Sequence, residues 1–267
     1  MATTVLVAQL SDPHIVPRGR LAYGTVDSAA GLRAAVAHVE GLRPRPNLVI
    51  VTGDLVDAGS PEEYDHLAEL LDPLTVPVAL LPGNHDDRSA LRAAFPEQFA
   101  GCGPLLSRPM QVGALRILLL DTHLPGEPGG EVGHEQLLWL DHELAAAPDT
   151  VTIVALHHPP FITGLAMMDT MRLRDMDALA AVIARHRQVE RVVAGHLHRP
   201  ITTRFAGTVA MTAPSTSHQL VLALDPDAEV GYNREPGAIL LHRWHPQHGL
   251  TSHVSLVGAF GPDISFD

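Results

Sequence analysis

The amino-acid sequence predicts an α/β fold, because short apolar runs alternate with amphipathic stretches along most of the chain. The runs at 5–10, 48–52 and 78–81 have the length and aliphatic content of buried strands. Each precedes a stretch with helical spacing of apolar residues, a pattern typical of parallel strands joined by helical crossovers. From residue 201 onward the helical spacing disappears, which predicts antiparallel β-structure in the C-terminal part.

The helices of the N-terminal half have clear start and stop signals. Asp27 or Ser28 can cap the first helix, and Ser60 followed by Pro-Glu-Glu forms a capping box with proline at the first helical position. Pro73 ends the second helix, and residues 88–95 predict a short third one. The residues that should face the core are Leu32, Val36 and Val39 in the first helix and Tyr64, Leu67 and Leu71 in the second.

The C-terminal half continues the alternation before it turns to β-structure. Leu137, Leu140 and Leu144 form an apolar stripe on one predicted helix, and residues 175–187 predict another. Strands are predicted at 115–120, 151–156 and 191–194, followed by β-type runs at 201–212, 219–224, 237–244 and 250–257.

The chain is predicted to form a single domain over residues 1–267, because 267 residues with 46% hydrophobic content can build one large core. Residues 213–267 are expected to be a β-rich extension that forms a cap or an oligomer contact. Two segments, 161–174 and 225–236, are expected to project from the core, and either could be a lid, a cap or an oligomer contact.

Composition limits the function classes. The formal net charge of −12 and the absence of Lys/Arg runs argue against binding to a nucleic-acid polymer. No run approaches the roughly 18 apolar residues of a membrane span, and the first ten residues lack the pattern of a signal peptide. The lone cysteine, Cys102, forbids an internal disulfide, so a cytoplasmic location is expected.

Polar residues follow five of the predicted strands at the point where each strand ends. The carboxyl ends of parallel strands share one edge of a sheet, so these residues are expected to converge. Carboxylate, amide and imidazole ligands suit Mn, Fe, Co or Zn better than Ca or Mg, and seven candidates are more than one ion needs. Two ions bridged by the Asp54 carboxylate would use them all. The seven candidates are Asp12, His14, Asp54, Asn84, His157, His196 and His198, and His85 and His158 stand next to two of them.

Simpler interpretations apply to several other polar residues. Strand alternation turns His158 away from its neighbour, which favours a structural or supporting role. Asp86 and Asp87 are expected to cap a helix or to support ligands. Cys102 has no partner signature that would indicate a nucleophile, and Met167 and Met168 are expected to be apolar filler or a pliable substrate wall. Four histidines on predicted helices are expected at the surface: His38, His66, His134 and His142.

The ordered motifs resemble those of the calcineurin-like binuclear metallophosphoesterase superfamily. Within it, the chain is most similar to bacterial glycerophosphodiester phosphodiesterases and class III cyclic-nucleotide phosphodiesterases. This similarity extends to further motifs across nearly the whole chain: Gly24-Thr-Val-Asp27, Pro61-Glu-Glu-Tyr64, His157-His-Pro-Pro160, Ser217-His-Gln219 and Leu241-His-Arg-Trp244.

The resemblance implies a four-layer αββα sandwich, a role for each site residue, and a homo-oligomer formed through the β-rich C-terminal part. Asp12, His14 and His198 would hold one metal ion, and Asn84, His157 and His196 the second, with Asp54 bridging. His85 would contact the phosphate and assist the leaving group, Asn84 would also contact substrate, and His218 would lie near the substrate pocket.

The implied function is a metal-dependent phosphodiesterase that hydrolyses small diesters of the glycerophosphodiester type by attack of a metal-bound hydroxide on phosphorus. A 3′,5′-cyclic-nucleotide phosphodiesterase is the alternative within this class. A protein phosphatase is disfavoured, since Ala58 stands where that branch has an arginine that grips phosphate. A non-catalytic metal-binding scaffold on the same fold is the alternative from another class.

Overall fold

The computed structural model describes residues 4–225, 227–262 and 264–266. The helices are α1 (Ser28–Gly41), α2 (Pro61–Leu71), α3 (Arg88–Ala94), α4 (His134–Ala145), α5 (Ala166–Asp169) and α6 (Met176–Ile183). The strands are β1 (Val5–Leu10), β2 (Leu48–Thr52), β3 (Val78–Leu81), β4 (Arg108–Val112), β5 (Leu115–Leu119), β6 (Thr152–Ala155), β7 (Val189–Ala194), β8 (Thr202–Phe205), β9 (Thr208–Thr212), β10 (Gln219–Leu220), β11 (Tyr232–Asn233), β12 (Ala238–His245) and β13 (Gly249–Leu256).

Two mixed sheets form the centre of the molecule. The first has the strand order β13-β12-β1-β2-β3, and the second has the order β4-β5-β6-β7-β9-β8. Strands β1, β2 and β3 run parallel to one another, as do β5, β6, β7 and β9. The carboxyl ends of β1, β2 and β3 therefore share one edge of the first sheet, and those of β6 and β7 share one edge of the second.

The buried side chains define four layers. One cluster fills the space between the two sheets, with Val7 and Ile50 from the first facing Ile117 and Ile153 from the second. A second cluster packs α1, α2 and α3 on the outer face of the first sheet, and a third packs α4 and α6 on the outer face of the second. The predicted αββα sandwich is confirmed.

A buried polar residue, Gln9, connects the two sheets. Its Nε2 donates to Thr52 Oγ1 and to the carbonyl of Ala194, both at 2.9 Å, while its Oε1 accepts from His242 Nε2 at 3.0 Å. Buried amides need such partners, because an unsatisfied one would destabilise the fold. These bonds fix β1, β2 and β7 relative to one another just behind their carboxyl ends.

Local sequence signals explain the helix starts. Asp27 caps α1 by accepting from the backbone N–H of Ala30 at 2.9 Å, and Asp87 caps α3 through Ala90 at 2.8 Å. The predicted capping box at Ser60 is present, with Glu63 accepting from the Ser60 N–H. These predictions are confirmed.

Several predicted elements differ from the structure. The prediction of antiparallel pairing from residue 201 onward is wrong for β9, which lies parallel to β7. The run at 219–224 contributes only the two residues of β10, and the last predicted helix is shorter than 175–187. Strand β4 was not predicted, since its alternating pattern contains proline and arginine. Residues 161–174 bury Leu165 and Met168 but leave Ile162 and Met167 about half exposed, so this segment packs on the core only in part.

Candidate metal centre

The seven ligand candidates meet where the carboxyl ends of the two sheets approach each other. Strand β1 leads to Asp12 and His14, β2 to Asp54, and β3 to Asn84. Strand β6 leads to His157, and β7 to His196 and His198. All but Asn84, which is half-buried, are buried. The convergence follows from the parallel arrangement, which brings residues distant in sequence to one edge.

Left-handed backbone conformations mark these strand ends. Seven described residues other than glycine have positive φ, and five of them are ligand candidates. L-residues rarely adopt such angles, each costing on the order of 1 kcal/mol or more. The strain is concentrated where the chain turns polar side chains toward one point, which is typical of a functional site. The five are Asp12, His14, Asp54, His196 and His198.

The first donor group surrounds His14. Its Nε2 lies 3.1 Å from His198 Nε2 and 3.5 Å from Asp54 Oδ2. His198 Nε2 also lies 3.5 Å from Asp12 Oδ1. The ligand atoms of Asp12, His14 and Asp54 lie within 4.8 Å of one another, so one ion can contact all of them.

The second donor group surrounds His157. Its Nε2 lies 3.1 Å from Asn84 Oδ1 and 3.3 Å from Asp54 Oδ1. The imidazole of His196 lies beside it, with ring centroids 5.0 Å apart. The two oxygens of Asp54 therefore face different groups, Oδ2 the first and Oδ1 the second, as a bridging carboxylate requires.

Hydrogen bonds at the opposite ring nitrogens show that these groups fit metal ions. His14 Nδ1 faces Asp57 Oδ1 at 3.3 Å, and His198 Nδ1 faces the carbonyl of His218 at 3.1 Å. Those oxygens only accept, so each Nδ1 carries a proton and the two Nε2 lone pairs point at each other. Imidazoles with unprotonated nitrogens facing inward form a set of lone pairs that a cation would satisfy.

The same inference holds for the second group. His157 Nδ1 donates to the carbonyl of Thr52 at 2.8 Å, so Nε2 is the nitrogen that faces the oxygens of Asn84 and Asp54, and it becomes a metal ligand when a cation replaces its proton. His196 Nε2 is buried and lacks a hydrogen-bond partner within the described part of the chain. A buried unpaired nitrogen on an imidazole that packs against His157 is the arrangement expected of a metal ligand.

The pKa shifts of Asp54 and His157 show that the Asp54 carboxylate attracts positive charge. Burial opposes ionisation of Asp54, but His157, His85 and His14 outweigh it and hold the pKa of Asp54 well below its usual value. Burial would lower the pKa of His157, yet the charge of Asp54 raises it to about 9. Burial raises the pKa of Asp12 to about 6. A divalent cation beside Asp54 would stabilise the ionised carboxylate in the same way as these positively charged imidazoles.

His85 belongs to the site without joining either donor group. Its Nδ1 lies 2.7 Å from the carbonyl oxygen of Asp57, so this nitrogen donates and Nε2 is left free. The backbone N–H of His85 donates to Asp54 Oδ1 at 3.0 Å. The side chain is about one-third exposed, and it lines the pocket above the donor groups. One residue, Asp57, thus orients both His14 and His85.

The pocket above the donors has a volume of about 270 Å³. Its wall combines aromatic residues with methionines, and it includes His218, as the sequence predicts. Tyr23 and Tyr232 stand close together, with ring centroids 5.2 Å apart. No lysine or arginine is among the described residues that line this pocket. The remaining wall residues are Pro128, Met167, Met168, Met171 and Leu220.

Sequence reasoning missed several of these residues. Asp57, Tyr23 and Tyr232 were not identified, although Asp57 lies only three positions after Asp54 and could have been suspected. The surface prediction for His66 is wrong, because its Nδ1 lies 2.8 Å from the carbonyl of Val16 in a buried position.

Two further buried polar residues, Asp86 and His158, lie beside the donor groups. Asp86 accepts from the N–H groups of Gly83 at 2.7 Å and Leu55 at 3.1 Å, and it does not face the donors. Burial and the nearby Asp54 raise its pKa to about 7. His158 Nδ1 contacts Thr122 Oγ1 at 2.8 Å, which fixes its ring beside the second donor group.

The αββα layers and the two donor groups define the class of dimetal hydrolases on this fold. The chain belongs to the calcineurin-like phosphoesterase family, whose sequence profile matches residues 5–200. Members of this family depend on a pair of metal ions, and the clustered His and Asp residues can bind them.

Two curated proteins illustrate the similarity. One, from Arcobacter nitrofigilis, is named "Probable glycerophosphodiester phosphodiesterase" and is 38% identical over 97% of this chain and 96% of its own length. The other, from Mycobacterium tuberculosis, is named "cAMP/cGMP dual specificity phosphodiesterase" and is 35% identical over 89% of this chain and 75% of its own.

A solved structure supports the fold alone. A dimetal phosphatase from Danio rerio superposes with a TM-score of 0.68 at 17% identity and covers 95% of this chain and 99% of its own. In the part of this chain that the structure describes, no helix has both the length and the apolar character needed to cross a bilayer.

Proposed function

We propose that this chain hydrolyses small phosphodiesters of the glycerophosphodiester type. The observation that carries the proposal is Asp54, whose two oxygens face two separate donor groups at the base of one pocket. A pair of ions bound there would lie beneath a substrate phosphate. The similarity to phosphodiesterases over nearly the whole chain supports the same activity.

The proposed ligand assignment follows the two groups. Asp12, His14 and His198 would hold one ion, Asp54 would contact both, and a second set of three residues would hold the other. The mixture of imidazole, amide and carboxylate donors suits Mn, Fe, Co or Zn. Bound there, two divalent ions lower the pKa of a coordinated water toward neutrality and offset the charge on phosphate oxygens. The second set is Asn84, His157 and His196.

The charges of the chain's own residues favour a diester over a monoester. Two divalent ions carry four positive charges, and the carboxylates of Asp12, Asp54 and Asp57 contribute three negative ones. Asp57 is counted as ionised because the hydrogen bond from His14 lowers its pKa. The net local charge is then about one positive unit. Since no Lys or Arg is among the described pocket residues, a singly charged diester matches the site better than a doubly charged monoester.

His85 is proposed to assist the leaving group. Its Nδ1 is held by the Asp57 carbonyl, so its Nε2 faces the pocket and can carry a proton to the departing oxygen. Asn84 and His218 are proposed to contact the substrate. Burial and His14 lower the pKa of His218 to about 4, so it contacts the substrate as a neutral imidazole and adds no charge.

The C-terminal β-rich part, residues 213–267, is proposed to belong to the single domain over 1–267 and to cap the pocket. Leu220 and Tyr232 line the pocket, and the Tyr232 hydroxyl lies 2.6 Å from Thr25 Oγ1. We further propose a homo-oligomer formed through the outer strand β13, where Val254 and Leu256 are about half exposed. A cytoplasmic location completes the proposal.

A substrate panel tests the proposal. Protein with quantified metal should hydrolyse bis(p-nitrophenyl) phosphate faster than p-nitrophenyl phosphate. Comparing glycerophosphoethanolamine with 3′,5′-cAMP then separates the main proposal from a cyclic-nucleotide phosphodiesterase, which the similarity to the Mycobacterium tuberculosis protein favours as the second candidate. Metal-loaded protein that leaves bis(p-nitrophenyl) phosphate intact would contradict both.

Another variant distinguishes an enzyme from a non-catalytic scaffold on this fold. Asn84→Ala removes an amide oxygen that lies 3.1 Å from His157 Nε2. An enzyme should lose most of its turnover together with part of its metal. A scaffold that bound a partner through its surface should bind that partner equally well with and without the substitution.

A further inference from the structure

A small apolar cavity lies beside the metal pocket, between α5 and residues 220–230. Its volume is about 70 Å³. Of the described residues that line it, Asp225 is the only charged one, and the others are aliphatic or thioether side chains. Such a cavity offers almost no hydrogen bonds and therefore favours an apolar occupant. The wall on the side of residues 220–230 includes Leu220, Val221, Ala223, Ala228 and Val230.

The cavity shares a wall with the metal pocket. Met167, Met168 and Leu220 line both spaces, so they form the boundary between the metal pocket and the apolar cavity. Met168 is 7% exposed and Met167 is 49% exposed, so one side of this wall borders solvent. Methionine has three rotatable side-chain bonds and adapts its shape readily. A substituent on a bound phosphodiester can therefore reach the cavity through a change in methionine conformation.

We infer that this cavity is a subsite for an uncharged alkyl chain on the phosphodiester, carried by the substituent that stays on phosphorus after hydrolysis. The inference rests on the proposed function. A cavity of about 150 Å³ holds a benzene ring, so a volume of about 70 Å³ is room for roughly three carbon atoms beyond the one bonded to the ester oxygen. An anionic chain end would face Asp225 and is disfavoured.

Alkyl p-nitrophenyl phosphates test the subsite directly. In each ester, water adds to phosphorus and p-nitrophenolate leaves, so the leaving group is constant and only the retained alkyl group changes. Burial of one methylene contributes about 0.8 kcal/mol, which is about fourfold in kcat/KM. We expect kcat/KM to rise up to about 60-fold from the methyl to the butyl ester and then to level off.

A binding measurement avoids dependence on turnover. Calorimetric titration of the metal-loaded protein with O-alkyl methylphosphonates, from methyl to hexyl, should show a Kd that falls about fourfold per methylene as far as butyl. If no ester is hydrolysed but this trend in Kd is present, the proposed function is wrong and the subsite stands. If the esters are hydrolysed and neither series depends on chain length, the subsite is wrong and the proposed function stands.

A cavity-filling variant provides the structural test. Ala223→Leu places a larger side chain in the cavity and should bring the butyl-to-methyl ratio of kcat/KM close to one. Ala228→Leu fills the same space from another position and serves if the first variant does not fold. Ala146→Leu, at an exposed site next to α4, is the matched control and should keep the wild-type ratio.

Measuring the molar mass in solution tests whether a second copy of the chain, instead of an alkyl group, occupies the cavity. If Ala223→Leu changes the oligomeric state measured by light scattering and leaves the butyl-to-methyl ratio at its wild-type value, the cavity is a contact between copies of the chain. That result would overturn the inference. A folded filling variant with an unchanged ratio and an unchanged molar mass would also overturn it.

Discussion

Gly83→Ala places a methyl group two residues after β3, where the backbone packs tightly against Asp54. The added Cβ would lie 2.2 Å from Asp54 Oδ1, 2.3 Å from the Asp54 backbone nitrogen and 2.8 Å from His157 Cε1. Ordinary contacts begin at about 3.4 Å, so Asp54 must move by about 1.2 Å. Because a backbone atom is among the neighbours, rotation of a side chain cannot relieve the clash.

The expected effects are large on activity and moderate on stability. Overpacking of a tight site lowers the free energy of unfolding by about 1 to 3 kcal/mol. A displacement of about 1 Å at the residue proposed to bridge two ions should lower turnover at least about 100-fold. Metal content should fall below two equivalents, because both donor groups include an oxygen of Asp54.

Three measurements on the Gly83→Ala protein check this reasoning. They are thermal unfolding, metal content after dialysis, and turnover of bis(p-nitrophenyl) phosphate. Gly41→Ala is the control, since its added Cβ meets nothing within 4 Å at the exposed end of α1. It should be neutral or stabilising by up to about 1 kcal/mol. A Gly83→Ala protein with two equivalents of metal and turnover within threefold of wild type would refute the argument.

Three further predictions concern residues around the site and in the core. His85→Ala should keep both metal equivalents and lower turnover by a factor of about 10² to 10⁴. The loss should be greater for glycerophosphoethanolamine than for bis(p-nitrophenyl) phosphate, because p-nitrophenolate leaves without a proton. Equal turnover in variant and wild type would remove His85 from the mechanism. Asp57→Asn should weaken metal affinity about 10- to 100-fold, because His14 loses the carboxylate that orients its ring. The measurement is turnover as a function of free Mn²⁺ concentration, and saturating metal should restore most activity. An unchanged metal titration would contradict this prediction. Burial lowers the pKa of His242 to about 3, so the unfolded chain binds the proton first as pH falls below about 6.5. Wild type should therefore lose about 2 kcal/mol more stability than His242→Gln between pH 8 and pH 5, measured by urea unfolding with chelator present, and parallel pH profiles would show the reasoning to be wrong.

Much of the site followed from local patterns in the sequence. Asp12, Asp54 and Asn84 each lie two or three residues after an apolar run of strand length, so the short connection keeps them near the sheet edge. The helix caps at Asp27 and Asp87 are equally local, because the capping side chain and its N–H partner lie three residues apart. Patterns that span only a few residues can be recognised without knowledge of the tertiary fold.

Other features depend on contacts between distant segments. The parallel pairing of β9 with β7 and the burial of His66 against Val16 leave no trace in a short window of sequence. Tyr232 reaches the pocket by pairing with Thr25, which lies 207 positions away. Such placements result from packing of the whole chain, and packing overrides local propensity.

The sequence by itself determined which residue types stand at the strand ends and therefore what chemistry they can offer. Only the tertiary structure decided how they combine: that Asp54 presents one oxygen to each donor group, that Asp57 orients two histidines at once, and that methionines separate the pocket from an apolar cavity. The physical reason is that ligand identity is a property of single residues, whereas distances and shared walls arise from two sheets packed face to face.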